Sequence, residues 1–89
     1  MPTIIVTHDV TDTEHWLSSP KREELLPSLG ASNLRTFVNP QDRTKVGVVM
    51  DVADLDALFA ALENPSDEFI EAMKYDTVLP ETVAILVAA

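Results

Sequence analysis

The chain has 89 residues, 46% hydrophobic and 24% charged, which suits one folded domain over residues 1–89 and is too apolar for a disordered chain. Fifteen Asp and Glu against six Lys and Arg give a formal charge of −9; with no cluster of basic residues to offset it, nucleic acid and anionic membrane surfaces are not expected as partners. Cysteine is absent, which excludes disulfides, thiolate nucleophiles and Cys-based zinc sites and makes the cytoplasm the expected location.

"TIIVTHDV" is rich in β-branched residues and predicts a strand over residues 3–9. Ile4, Val6, His8 and Val10 share one side by alternation, and Ile5 lies with Thr7 on the other, so both faces need cover. Thr11 followed by Glu14 has the spacing of a capping box and predicts a helix from about residue 12. Ser19-Pro20 is a second helix start, so residues 12–29 read as two helical pieces, with Pro27 distorting the second and Gly30 supplying a left-handed stop. Two strand-like runs, "NLRTFVNP" and "KVGVVMDV", flank the polar "QDRT" and predict an antiparallel hairpin. Leu55, Leu58, Phe59 and Leu62 then form the apolar stripe of a helix capped by Asp51 or Asp54. Asn64-Pro65 predicts the end of that helix and the start of another, with Phe69, Ile70 and Met73 on its buried face. "ETVAILVA" is a last strand beginning after Pro80. No run approaches the roughly 18 apolar residues of a membrane span, and the first residues lack the features of a signal peptide.

The order β, α, β, β, α, β is that of a ferredoxin-like α+β fold with its helices on one face. Right-handed crossovers place the first and third strands side by side in the middle, expected to run parallel, with the other two at the edges. The second sheet face still carries Ile, Val and Leu side chains, more apolar surface than a monomer usually leaves in water, and a second copy of the sheet is the simplest cover.

Over nearly the whole chain, "HDVTDTEHW", "GASNLRTFVNPQDRTKVGVVMDVADLDAL" and "NPSDEFIEAMKYDTVLPETV" resemble small, uncharacterised bacterial members of the dimeric α+β barrel superfamily. The resemblance implies a ferredoxin-like subunit that pairs with its twin as a homodimer, sheet against sheet, with the helices outside. Relatives include cofactor-independent monooxygenases of the antibiotic-biosynthesis type, haem proteins and muconolactone isomerase-like enzymes, and in the enzymes the ligand commonly lies between sheet and helices. No catalytic motif of any one branch carries over residue by residue.

His8, Asp9, Asp12, Glu14 and His15 offer donor atoms within eight residues. Their spacing does not suit a metal, because Glu14 and His15 are helical neighbours about 100° apart whereas helical zinc pairs use i and i+4. No metal and no cofactor is expected; haem would have only His8 or His15 as its axial ligand. His8, at the carboxyl end of the first strand, is the single candidate catalytic residue, able to exchange protons with a ligand between sheet and helices. The plainer alternative is a bond to a loop carbonyl or to Asp12. Trp16 packs with Leu17 onto the sheet, filling the core or stacking on a ligand. Met50, Met73 and Tyr75 complete the candidate ligand lining with His8 and Trp16, although methionines so placed commonly fill gaps.

The leading expectation is a protein that binds a small apolar or aromatic molecule between sheet and helices. The alternative is a cofactor-independent monooxygenase or isomerase acting on a phenol or enol, with His8 as proton acceptor. A third reading is a structural dimerisation module without a pocket.

Overall fold

The computed structural model describes residues 2–89. Strand β1 (Thr3–Val10) leads into two short helices, α1 (Thr13–Ser18) and α2 (Lys21–Leu25), and a 3-10 turn, Leu26–Leu29. The hairpin strands β2 (Ala31–Val38) and β3 (Lys45–Val52), helices α3 (Leu55–Glu63) and α4 (Asp67–Tyr75), and strand β4 (Val78–Val87) follow. One sheet in the order β2-β3-β1-β4 carries the helices.

The first and third strands are central, as expected, but they run antiparallel. The crossover makes β1 parallel to β2, its partner through the helix, and β3 lies between the two. Since β2 and β3 form a hairpin, the strand in contact with β1 must run against it. Strand β4 is likewise antiparallel to β1.

Local chemistry decides where the helices start. Asp12, not Thr11, caps α1, its carboxylate accepting from the His15 N–H at 3.1 Å. The expected capping box does not form. The Thr11 N–H donates to the Thr77 carbonyl, and Glu14 pairs instead with Arg43 at 2.6 Å. The break after α1 holds as predicted: Ser19 Oγ accepts from the Lys21 N–H, and Gly30 ends the second segment at φ 87°. Asp54 caps α3, while Asp51 accepts from the Thr3 hydroxyl. Asn64 closes α3 but does not open α4, whose cap is Ser66.

Ile4, Val10, Val46, Val48, Met50 and Val52 of the sheet meet Trp16 and Leu58 of the helices in the core. Leu17 does not join Trp16 there; it is exposed, pointing about 100° away from its neighbour around the helix. Strand β4 begins at Val78, earlier than its sequence suggests, and its register against β1 shifts between Thr7 and Asp9. Pro80 sits in that irregular stretch of an edge strand, where its missing N–H costs no ladder bond; there the Thr82 hydroxyl accepts from the Asp9 N–H at 2.8 Å. The face away from the helices carries Ile5 opposite Val49 and Leu86, and Phe37 opposite Gly47. Phe37 is 52% and Leu86 61% exposed.

Candidate functional site

Helix α4 shows how the site arises. Phe69, Met73 and Ile70 form its apolar face, yet none of its residues is fully buried. They face a cavity of about 370 Å3 between the helices and the sheet. Val6, Val48 and Met50 form its floor, Leu58, Leu62, Phe69 and Met73 line its helical side, and Pro80 and Val83 come from the irregular part of β4. That volume lies within the roughly 300–1,000 Å3 range of small-molecule sites, which are apolar with a few placed polar groups.

The polar groups form one wall. His8 reaches the lining from the end of β1 and is buried. Its ring meets the fully buried Trp16 edge-on, with centroids 5.6 Å apart. Arg22 of α2 lays its guanidinium over the same indole, 4.2 Å from the ring centroid, a cation–π contact strengthened by exclusion of water. Arg22 Nη1 also lies 3.5 Å from Oδ2 of Asp76, the residue that closes α4, and both side chains are largely buried. The link that follows Asp76 is tied to the start of α1: Thr77, at φ 60°, accepts from the Thr11 N–H with its carbonyl and from the Asp12 N–H with its hydroxyl. These bonds hold the end of α4 beside the end of β1.

Burial lowers the pKa of His8 below its usual 6.5, and the positive charge of Arg22 adds to this. The Asp9 backbone and the carboxylates of Asp76 and Asp9 oppose the shift without overcoming it. The imidazole is therefore neutral at pH 7. His8 Nδ1 is enclosed and has no hydrogen-bond partner.

A depressed histidine pKa has a signed consequence. Between the folded value and 6.5 the unfolded chain binds more protons, so stability rises with pH in that window. The contribution is complete above about pH 6.5 and is lost as pH falls towards the folded value. Urea unfolding at pH 7.5 and pH 5 is expected to show a smaller loss on acidification for His8→Gln than for the wild type. Equal losses would show that His8 is not a buried neutral base. Asp42 and Asp51, whose hydrogen bonds to Thr44 and Thr3 lower their pKa values, act in the more acidic carboxylate range and remain in both proteins.

Of the residues singled out from sequence, His8, Trp16, Met50 and Met73 lie together in this lining. Tyr75 does not. Two residues beyond Met73 it projects about 200° around α4, where it is 48% exposed and packs on His15 at 4.6 Å between centroids. The "HDVTDTEH" donors are dispersed too, with Asp12 capping, Glu14 bound to Arg43, and Asp9 within 3.4 Å of Lys45. Among the described residues no group of three or more His, Asp or Glu converges on a point that could hold a metal ion. Arg22 and Asp76 were missed by the sequence reading. Both had a signal: Arg22 stands i, i+3, i+4 with Leu25 and Leu26, and Asp76 continues the Phe69, Ala72, Met73 stripe at i+7.

No protein-family model matches the chain, and no curated protein matches it significantly in sequence. Solved structures do match. A candidate antibiotic biosynthesis monooxygenase from Bordetella bronchiseptica superimposes with a TM-score of 0.71 at 15% identity, over 99% of this chain and 94% of that one. A second, from Nitrosomonas europaea, gives 0.64 at 15% identity over 100% and 97%. An antibiotic biosynthesis monooxygenase gives 0.61 at 13% identity over 100% and 97%. At such identities the likeness is one of fold. The chain thus has the ferredoxin-like α+β fold of the antibiotic biosynthesis monooxygenase-type structures, along its full length.

Proposed function

We propose that the protein binds a small apolar or aromatic molecule in the cavity between sheet and helices, with His8 and Trp16 at its polar wall. The observation that carries this reading is the cavity itself: a partly open, apolar pocket of about 370 Å3 with His8, Arg22 and Asp76 in its lining. A helix whose apolar stripe faces open volume leaves that surface only partly covered, and an apolar ligand would complete its burial. We further propose that two copies pair through the outer sheet faces as a homodimer, covering Ile5, Val49, Phe37 and Leu86. The absence of cysteine suits a reducing compartment, and the cytoplasm is the location we assign. No helix among the described residues is long and apolar enough to cross a membrane.

Calorimetric titration with a panel of small aromatic molecules tests the binding site. Compounds that bind the wild type are expected to lose roughly threefold to tenfold in affinity with His8→Ala or Trp16→Phe, the loss of one hydrogen bond or one aromatic contact. Affinities unchanged in both variants would place binding elsewhere.

A second reading starts from the state of His8. A neutral imidazole with an unpartnered Nδ1 is suited to accept a proton from a phenol or enol, and structural neighbours include an antibiotic biosynthesis monooxygenase. In that reading His8 is the base of a cofactor-independent oxygenase or isomerase.

A further inference from the structure

Among the described residues, three buried side-chain polar atoms have no hydrogen-bond partner: His8 Nδ1, Arg22 Nη1 and Asp76 Oδ1. All three residues line the one cavity. Buried polar atoms are nearly always satisfied, and exceptions on residues that line one apolar pocket call for an explanation. The atoms are of complementary kinds. Arg22 Nη1 is a donor only, Asp76 Oδ1 as a carboxylate oxygen is an acceptor only, and His8 Nδ1 takes either part according to its tautomer.

A group that satisfies the first two together must carry both an acceptor and a donor. We infer that the cavity selects an apolar molecule bearing a neutral hydroxyl over one bearing a carboxylate, with Arg22 donating to the hydroxyl oxygen, Asp76 accepting its hydrogen, and Asp76 acting as the residue that excludes anions. The inference rests on the cavity being the binding site. A carboxylate would also accept from Arg22, but it would bring a second negative charge beside the buried Asp76. Attraction and repulsion at similar distances then cancel, and the cost of taking the carboxylate out of water is left uncompensated. A hydroxyl carries no such cost.

The remaining cations do not alter this balance. Lys21, half-buried, and Lys74, exposed, also border the cavity, but each lies within 4.0 Å of a glutamate one helical turn away, Glu24 and Glu71. Arg22 Nη1 and Asp76 Oδ1 are enclosed, so the hydroxyl reaches these two residues by inserting where Arg22 now meets Asp76. That contact is long, at 3.5 Å, lacks hydrogen-bond geometry and belongs to a flexible side chain.

The test is a titration of the wild-type protein at pH 7.5 with 2-methylnaphthalene, 2-naphthalenemethanol and 2-naphthoate, which differ in the head group alone. The alcohol is expected to bind at least about tenfold more tightly than the hydrocarbon or the carboxylate, the worth of a charge-assisted hydrogen bond. Carboxylate binding as tight as the alcohol, or an alcohol no better than the hydrocarbon, overturns the inference while leaving the cavity as a binding site. If none of the three binds, the cavity reading falls and the inference with it. Asp76→Asn, checked for folding by circular dichroism, is expected to bind 2-naphthoate more tightly than the wild type does, with a smaller preference for the alcohol. A folded variant with the wild-type ranking would remove Asp76 from the selecting role; should the variant not fold, the wild-type ranking decides alone.

Discussion

Trp16→Ala is expected to destabilise the protein by about 3–5 kcal/mol, the range for deleting a fully buried aromatic side chain. Trp16 is the largest fully buried side chain in the core. Its ring is also a surface on which two other groups depend, the His8 imidazole at 5.6 Å and the Arg22 guanidinium at 4.2 Å. The change would leave a void continuous with the existing cavity, and a void opening to a cavity cannot be closed by a small collapse of its neighbours. For a domain of this size, about 4 kcal/mol corresponds to a fall in Tm of roughly 16–30 °C. Thermal unfolding followed by far-ultraviolet circular dichroism gives the answer, since the only tryptophan is the residue removed. Trp16→Phe keeps much of the buried ring and is expected to cost much less. A Tm within 5 °C of the wild type for Trp16→Ala would contradict the placement of this side chain at the centre of the core.

The second large effect is expected on assembly. Phe37 and Leu86 are exposed on the outer sheet face, so replacing both with lysine should alter the fold of the subunit little, as surface substitutions usually do. In a two-fold pair each change appears twice. Burying four apolar side chains at an interface is worth on the order of 6 kcal/mol or more; even a partial loss of about 4 kcal/mol raises the dissociation constant roughly a thousandfold. Sedimentation at micromolar concentration is expected to show a dimer for the wild type and a monomer for Phe37→Lys/Leu86→Lys, with closely similar circular dichroism spectra. A wild-type protein that sediments as a stable monomer would contradict the pairing proposed for this face.

Most of the fold was legible because its signals are local. Alternation marked β1 and the hairpin strands, Ser19 and Pro20 marked the break between the short helices, and Gly30 marked a stop that only a left-handed residue supplies. The misses came where a distant partner decided the outcome. Thr11 and Glu14 have capping-box spacing, but the Thr11 N–H found the Thr77 carbonyl and Glu14 found Arg43. Strand direction failed for a topological reason, since the parallel relation made by the crossover skips the strand in between.

The site was half legible on similar grounds. His8, Trp16, Met50 and Met73 lie on elements whose buried face periodicity reveals. Arg22 and Asp76 occupy positions of the same stripes, where a charge reads at first as solvent-facing. Asp76 is further marked by its place at the end of α4, where the helix dipole disfavours a carboxylate. A charge in an apolar stripe, against the dipole, points to a buried partner, but the sequence does not name Arg22 as that partner across more than fifty residues. Tyr75, two positions beyond Met73, points off the face that Met73 presents and lies outside this lining.

The most direct test of the binding site uses the residue at its centre. In 15N-labelled protein the indole N–H of Trp16 gives a single resonance, and its ring touches both His8 and Arg22. Saturating addition of 2-naphthalenemethanol is predicted to shift that resonance together with backbone resonances of Val6, Met50 and Met73, along one binding curve. A ligand that binds while all four stay in place would contradict a site between sheet and helices.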